Sequence, residues 1–204
     1  MSGTGREDAF ARLGVLTKER FLEPDLCARL RQAMINGRAE PATIRPEGGE
    51  YQVDEGIRRA RSCQVDEPIA ALVEERLLGA REEISETFDV PLAGLERLQF
   101  VIYGEGDYIR RHVDRPPDPD DGHQSRNRIV SAVLLLNGQS EDPGPDQYAG
   151  GALAFYEPWE PEQGPLPVEL EGREGMLVGF PPDTLHEVKP ITRGERFSVV
   201  SWFT

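Results

Sequence analysis

Two histidines and one aspartate in the second half of this 204-residue chain have the residue types of a metal site. His112 and Asp114 are two positions apart, and in an extended strand such residues project from the same face. Tyr108 and Arg110 share that face if the strand is regular. A neutral imidazole and a carboxylate suit a first-row divalent metal, and a third ligand from a distant strand completes a facial triad with open positions.

His186 is the candidate for the third ligand. It follows a buried apolar run and a Pro-Pro turn, which returns the chain toward the mouth of a barrel. His-x-Asp alone often occurs by chance, so the prediction depends on His186 and Arg196 following it in order. Without them, His112 and Asp114 are an incidental polar pair, and His186 is a hydrogen-bonded core histidine.

Arg196 is a candidate anion-binding residue, and Ser198 faces the same side of the strand. A guanidinium binds a carboxylate in a planar, bidentate fashion, and a hydroxyl adds one hydrogen bond. A metal with open positions and a nearby carboxylate clamp fit a co-substrate that chelates the metal at one end and carries an acid at the other. 2-Oxoglutarate has that shape. The alternative for Arg196 is an ordinary salt bridge in an acidic protein.

The elements that position these residues differ between the two halves of the chain. Apolar residues at four-residue spacing predict a helix from Pro24 to Asn36, and a longer pattern predicts a second helix over Pro68–Phe88. Short alternating or apolar runs then predict about eight antiparallel strands. These runs are Leu95–Tyr103, Tyr108–Asp114, Ile129–Leu136, Ala152–Tyr156, Val168–Leu170, Met176–Phe180, His186–Val188 and Phe197–Phe203. We therefore predict a mostly β chain of the α+β class, in which residues 1–94 form a helical support region of the same domain and residues 95–204 form the β core.

Three long polar connections separate some of these strands, namely Arg115–Asn127, Gly138–Gly150 and Glu157–Pro167. Loops of this length in a compact domain are usually functional rims or lids. We expect His123 to be solvated in the first of them. Trp159, in the third, is a candidate lid residue.

Composition argues against several classes of protein. The chain carries 23 cationic and 37 acidic side chains, a net charge of −14, which opposes nucleic-acid binding. No apolar run reaches the roughly 18–20 residues of a membrane span, and no secretory signal is visible. We therefore expect a cytoplasmic protein, without a membrane partner, in which Cys27 and Cys63 are reduced thiols. No pattern in the sequence specifies an oligomeric state.

The segment Tyr103–Asp114 resembles the first metal motif of the prolyl 4-hydroxylase-like iron(II)/2-oxoglutarate oxygenases. Its sequence is Tyr-Gly-Glu-Gly-Asp-Tyr-Ile-Arg-Arg-His-Val-Asp. Asn137, Gly150-Gly151 and the stretch from Phe180 through His186 to Arg196 are similar to later landmarks of that family, in the same order. Phe21–Leu30 is similar to its leading helix.

This resemblance implies a double-stranded β-helix (jelly-roll) core buttressed by helices, with Fe(II) held by His112, Asp114 and His186. It implies that Arg196 binds the distal carboxylate of the co-substrate 2-oxoglutarate, with Tyr103 and Ser198 as helpers. The implied reaction uses dioxygen to hydroxylate an amino-acid side chain, with ascorbate as a candidate reductant.

The implied substrate is a peptide or protein, or a small amino-acid-derived molecule. The chain departs from the family where many prolyl hydroxylases carry lysine instead of Arg196, and its loop after Asp114 is unusually acidic and rich in proline. The acidic surroundings favour a cationic or neutral substrate over an acidic one.

Two alternatives remain at this point. Gly175–His186 also resembles a second cupin motif, which would indicate a cupin-like metal-binding module or a metalloenzyme that does not use 2-oxoglutarate. However, the first cupin motif usually contains His-x-His, whereas position 114 is Asp. A nucleic-acid demethylase of the related dealkylating group would typically have a second arginine six residues after Arg196, where this chain has Trp202.

Overall fold

The computed structural model describes residues 3–46, 49–115, 123–157 and 167–204, with side chains from residue 7 onward. The α-helices of these ranges are α1 Gly3–Arg12, α2 Pro24–Asn36, α3 Glu67–Gly79 and α4 Arg81–Phe88. The strands are β1 Leu16–Lys18, β2 Ala39–Pro41, β3 Arg58–Arg59, β4 Arg61–Cys63, β5 Gln99–Tyr103, β6 Tyr108–His112, β7 Val130–Leu135, β8 Gly138–Gln139, β9 Gln147–Gly150, β10 Leu153–Tyr156, β11 Pro167–Leu170, β12 Met176–Phe180, β13 His186–Val188, β14 Ile191–Arg193 and β15 Arg196–Phe203. A short 3-10 helix spans Gln124–Asn127.

The strands form two principal sheets and one small one. The major sheet has seven strands in the order β1-β12-β7-β15-β5-β4-β2, and the minor sheet has five in the order β11-β10-β13-β6-β3. Strands β14, β9 and β8 make a third sheet of three strands. Apart from the parallel pair β8–β9, the strands pair antiparallel.

The central strand β7 shows how the sequence specifies the layers. All six of its residues are buried. Val133 and Leu135 belong to a core cluster that also contains minor-sheet residues such as Leu153 and Phe155. Ala132 and Leu134 point to the opposite face, because successive side chains in a strand alternate. Both faces of the major sheet are therefore covered, one by the minor sheet and the other by helices.

Helices α2, α3 and α4 cover the outer face of the major sheet. Leu30 of α2, Leu77 of α3 and Ile84 of α4 are each at most 2% exposed and share a cluster with the outward residues of β7. Arg31 of α2 is also buried and donates a hydrogen bond to the Leu136 carbonyl oxygen at 2.5 Å. This arrangement confirms the predicted helical buttress on a mostly β core.

The eight predicted strands are all present, as β5, β6, β7, β10, β11, β12, β13 and β15. The expected helix over Pro68–Phe88 is two helices, because α3 ends at Gly79, a poor helix former, and α4 begins at Arg81. Helix α1 and the strands β1 to β4, β8, β9 and β14 were not predicted from the sequence. Strands β8 and β9 lie at the two ends of Gly138–Gly150, which was expected to be a polar connection. All these strands are only two to four residues long and carry no usable periodicity, so their pairing partners define them.

Two expectations from composition can be compared with the structure. Cys27 and Cys63 are both buried and unbridged, as predicted. None of the helices within the described residues is long and apolar enough to cross a membrane.

Candidate functional site

Antiparallel pairing of β6 and β13 in the minor sheet brings two histidines together. His112 is the last residue of β6 and His186 the first of β13, and the two are register partners. Their ring centroids lie 4.2 Å apart. Residues separated by more than seventy positions thus become neighbours at one end of the sheet.

Each imidazole is oriented by its own strand end. The Nδ1 atom of His112 lies 2.8 Å from the Arg110 carbonyl oxygen, and that of His186 lies 2.9 Å from the Thr184 carbonyl oxygen. A carbonyl only accepts hydrogen bonds, so each Nδ1 carries the proton and each Nε2 keeps its lone pair. Metal-binding histidines are typically held in this way.

Asp114 completes the group. Its Oδ1 lies 3.6 Å from the Nε2 of His112, and its Oδ2 lies 3.8 Å from the Nε2 of His186. One ligand atom from each of the three residues falls within 4.8 Å of the others. The structure therefore brings together all three residues that were predicted to bind metal, through Nε2 and carboxylate oxygens.

Two contacts fix the position of Asp114. Its backbone N–H donates to the Pro182 carbonyl oxygen at 2.7 Å, which joins it to the Pro-Pro turn before His186. Ser131 of β7 donates its hydroxyl to Oδ2 of Asp114 at 2.7 Å. Ser131 was missed in the sequence analysis, since a serine in an apolar strand gives no signal until the sheet places it opposite the carboxylate.

The electrostatics of the group favour metal-binding protonation states. Burial, reinforced by the adjacent His186, lowers the pKa of His112 to about 4, so its imidazole is neutral at neutral pH. Burial also acts to raise the pKa of Asp114. The two imidazoles and the hydrogen bond from Ser131 outweigh it and keep that pKa below its ordinary value. Two imidazoles and one carboxylate are a donor set suited to iron(II).

The face of β6 differs from the expectation for a regular strand. His112 pairs with His186, but the next pair is Ile109 with Val188, so three steps on β6 match two on β13. This bulge lets both His112 and Ile109 point inward, and Ile109 is buried in the core. Arg110 is exposed, and the Tyr108 hydroxyl donates to the Glu55 carbonyl oxygen at the surface. Tyr108 and Arg110 therefore do not share the metal-facing side.

Arg196, the predicted anion clamp, begins β15 and is 1% exposed. Its Nη1 donates to the hydroxyl oxygen of Ser198 at 3.2 Å, and its guanidinium carbon lies 5.4 Å from the ring centroid of its register partner Tyr103. The structure thus places the three predicted 2-oxoglutarate contacts side by side. The Nε atom of Arg196 is buried and has no hydrogen-bond partner. Within the described ranges, no carboxylate forms an ion pair with Arg196.

A buried guanidinium without an anion costs free energy, because desolvation is not offset by an opposite charge. An anionic group supplied from outside the chain therefore fits this place. The chemistry of the donor set likewise fits a divalent metal at the histidine pair. These observations make the residues compatible with both iron and 2-oxoglutarate.

Asn137 has a structural role beside the clamp. Its Nδ2 donates to the Glu195 carbonyl oxygen at 2.8 Å, and its Oδ1 accepts from the Phe197 N–H at 3.0 Å. Asn137 therefore holds the backbone on both sides of Arg196. This explains why a polar residue that is only 2% exposed follows the apolar strand β7.

Arg128 supports the other end of the site. It pairs with Glu96 through two bonds of 2.9 Å, and its guanidinium carbon lies 3.5 Å from the ring centroid of Trp202. Its Nη1 also donates to the Asp114 carbonyl oxygen at 2.8 Å. Its backbone contact to a proposed metal ligand was not foreseen.

Two further residues had been singled out in the loops. His123 caps the 3-10 helix by accepting from the Ser125 N–H at 3.1 Å, and its ring packs at 5.7 Å against Tyr51. It does not join the metal group. Trp159 lies outside the described residues, as do positions 116–122 of the loop that follows Asp114.

Comparison with solved structures indicates the same fold. A Pseudomonas putida prolyl-4-hydroxylase superposes with a TM-score of 0.68 at 27% identity, with 98% of this chain and 96% of that chain covered. A Trichoplax adhaerens prolyl hydroxylase, solved with a peptide fragment of hypoxia-inducible factor, gives a TM-score of 0.66 at 18% identity, with 96% and 86% covered. The predicted double-stranded β-helix core is thereby confirmed.

Comparison of sequences gives concordant relatives. A PKHD-type hydroxylase of Burkholderia lata is 30% identical over 193 residues, which is 93% of this chain and 74% of the relative. One of Hyphomonas neptunium is 30% identical over 148 residues, 72% of this chain and 60% of the relative. One of Rhizorhabdus wittichii is 36% identical over 104 residues, with 50% of this chain and 40% of the relative covered. The chain thus spans well under the full length of several relatives.

The sequence model of the 2OG-Fe(II) oxygenase superfamily matches residues 98–204 of this chain, which is just over half of it. This segment contains the histidine pair with Asp114, as well as Arg196 with its neighbours. It leaves the cupin-like alternative without support. The chain belongs to the 2OG-Fe(II) oxygenase superfamily.

Proposed function

We propose that this protein is an Fe(II)- and 2-oxoglutarate-dependent dioxygenase that hydroxylates an amino-acid side chain. The observation that carries the proposal is the convergence of two Nε2 atoms and a carboxylate within 4.8 Å, in a barrel that also buries an arginine with an unpartnered Nε. The first feature suits a metal, and the second suits the acid end of a co-substrate.

In this proposal His112, Asp114 and His186 hold the iron. Arg196 holds the distal carboxylate of 2-oxoglutarate, with Tyr103 and Ser198 beside it. When bound, iron and 2-oxoglutarate supply the oxidising power, since activation of dioxygen is coupled to decarboxylation of 2-oxoglutarate to succinate and carbon dioxide and leads to hydroxylation of a C–H bond. Ascorbate is the proposed reductant that keeps the iron in its ferrous state.

The chain's own residues contribute position and charge. The Arg110 and Thr184 carbonyl oxygens hold the Nδ1 protons of the two histidines, which directs their Nε2 lone pairs to one point. Ser131 holds one oxygen of Asp114, so the carboxylate is oriented without losing its charge. The core shields the guanidinium of Arg196 from bulk water, and its positive charge selects for an anion, such as the distal carboxylate of the co-substrate.

The proposed substrate is a prolyl or similar residue of a peptide, or a small amino-acid-derived molecule. The support comes from the relatives' names, prolyl-4-hydroxylase and PKHD-type hydroxylase, and from the neighbour solved with a peptide fragment. Tyr51, Val53 and Ile57, in the segment before β3, are exposed and offer an apolar surface for a peptide to contact.

The test is succinate formation from 2-oxoglutarate by purified protein with ferrous iron and ascorbate under air. Wild type should form succinate even without an identified substrate, and His112→Ala should form none above the metal-only background. His123→Ala is the matched control, because His123 lies outside the metal group, and it should retain the wild-type rate.

Two results would contradict the proposal. Equal succinate formation by wild type and His112→Ala would show turnover independent of the proposed iron ligand. Metal binding without any binding of 2-oxoglutarate by calorimetry would instead indicate a cupin-like protein.

A further inference from the structure

A buried tyrosine that the proposed function does not use lies next to the clamp arginine. Tyr148 belongs to β9, is 1% exposed and shares the inner core cluster with Tyr103 and Leu135. Its hydroxyl lies close to Cδ1 of Leu135. Leu135 is the register partner of Ser198, whose hydroxyl accepts a hydrogen bond from Arg196. The positive charge of Arg196 also opposes the rise in the pKa of Tyr148 that burial causes. A side chain from the small third sheet thus reaches the part of the barrel where Arg196 lies.

The chain makes room for this hydroxyl with glycine. A methyl group at Gly172 would lie 2.2 Å from the Tyr148 hydroxyl oxygen and 3.3 Å from Cδ1 of Leu135. Gly172 is not among the glycines with positive φ, so its backbone does not require glycine. At Gly151, a methyl group would lie 3.2 Å from a ring carbon of Tyr148. Space for the tyrosine therefore accounts for Gly172.

The position is unusual for a tyrosine that only fills the core. A phenylalanine would give the same apolar contacts without a hydroxyl to satisfy, and buried hydroxyls need hydrogen-bond partners. The nearby cation is a donor only, and a tyrosine hydroxyl still has one proton to donate. An acceptor that lies beside both groups would satisfy the phenol proton and the unpartnered Nε of Arg196 together.

We propose that the Tyr148 hydroxyl donates a hydrogen bond to the distal carboxylate of 2-oxoglutarate, alongside Arg196. This inference rests on the proposed function. It makes Tyr148 a co-substrate-binding residue that helps select a five-carbon 2-oxo diacid over 2-oxo acids with an apolar end.

The test is calorimetric binding to the Mn(II)-loaded protein, which holds the co-substrate without turnover. Two ligands are compared, 2-oxoglutarate and 2-oxovalerate, which has the same chain length but no distal carboxylate. Tyr148→Phe should raise the Kd for 2-oxoglutarate about tenfold, the loss of one hydrogen bond to a charged group. Its Kd for 2-oxovalerate should change less than about twofold, because no acceptor faces the hydroxyl in that complex.

Tyr156→Phe is the matched control. The Tyr156 hydroxyl donates to Glu187 at 2.5 Å in the minor sheet, and its loss should leave both Kd values unchanged. Gly172→Ala is a second variant, which displaces the Tyr148 hydroxyl while it keeps the ring, and it should weaken 2-oxoglutarate more than 2-oxovalerate. Melting temperatures of the ligand-free proteins establish that each variant is folded.

Unchanged affinity of Tyr148→Phe for 2-oxoglutarate would overturn the inference and leave the proposed function standing. An equal loss for both ligands would also overturn it, since it would indicate a structural role only. If wild type itself bound neither ligand, the proposed function would fail together with the inference.

Discussion

At the scale of single residues, the metal site depends on atoms that do not touch the metal. Asp114 offers two oxygens, and the bond from Ser131 at 2.7 Å fixes which of them faces which histidine. Contacts of this kind typically change metal affinity by about 10–100-fold when they are lost. Their loss also removes one influence that keeps the pKa of Asp114 low.

Ser131→Ala should therefore weaken metal binding about tenfold while the protein stays folded. The measurement is a competition titration with Mn(II) or Fe(II) and a chelator of known affinity. Ser201→Ala is the control, because Ser201 is also a buried serine of the major sheet but donates to the Glu96 carbonyl oxygen. Identical metal affinity in the two variants would refute the role given to Ser131.

Arg196→Met removes the guanidinium but keeps an unbranched, apolar side chain of similar reach. We expect the Kd for 2-oxoglutarate to rise about a hundredfold, because the charge-assisted bonds to its distal carboxylate are lost. The ligand-free variant should be as stable as wild type or more stable, since a buried charge without an anion destabilises the fold. Calorimetry and thermal denaturation without ligand measure the two effects, and a marked loss of ligand-free stability would argue that Arg196 serves mainly the fold.

At the scale of elements, the ends of β7 and β15 have to meet for the clamp to form. Asn137, just after β7, holds both peptide groups that flank Arg196. The side chain of the clamp is thereby positioned through its own backbone. This link explains why an asparagine can influence a ligand that it does not contact.

Asn137→Ala should lower the free energy of unfolding by about 2 kcal/mol, because the buried Phe197 N–H loses its acceptor and the Glu195 carbonyl oxygen loses its donor. It should also raise the Kd for 2-oxoglutarate several-fold, with little change in metal affinity. Urea denaturation and calorimetry measure these quantities. The surface variant Asn36→Ala is the control, and a large loss of stability with unchanged 2-oxoglutarate affinity would show that the asparagine does not position Arg196.

At the scale of the whole molecule, the net charge of −14 should influence which substrates approach the site. A surface of one sign attracts ligands of the opposite sign over a distance set by the Debye length, about 30 Å at roughly 0.01 M salt and 8 Å at 0.15 M. The prediction of a cationic or neutral substrate can therefore be tested through its salt dependence.

Labelled proline-containing peptides flanked by lysine should bind more tightly than the same peptides flanked by glutamate. The ratio of the two Kd values should shrink as the salt concentration rises, because screening weakens the long-range attraction. Fluorescence anisotropy with the Mn(II)-loaded protein measures it. Tighter binding of the glutamate peptide at low salt would overturn the prediction. It would indicate that local cations recognise the peptide, such as Arg58, whose positive charge helps to lower the pKa of His112.

The sequence by itself determined the residues that could bind a metal and an anion, together with the order of helices and strands that present them. Strand alternation and residue chemistry are local properties, so the eight core strands, His112, Asp114, His186, Arg196 and Ser198 could be identified without coordinates. The sequence did not reveal contacts made across sheets and loops. The bulge in β6 that turns Ile109 inward, the bond from Ser131 to Asp114 and the approach of Tyr148 to Arg196 depend on strand register, which long-range packing decides.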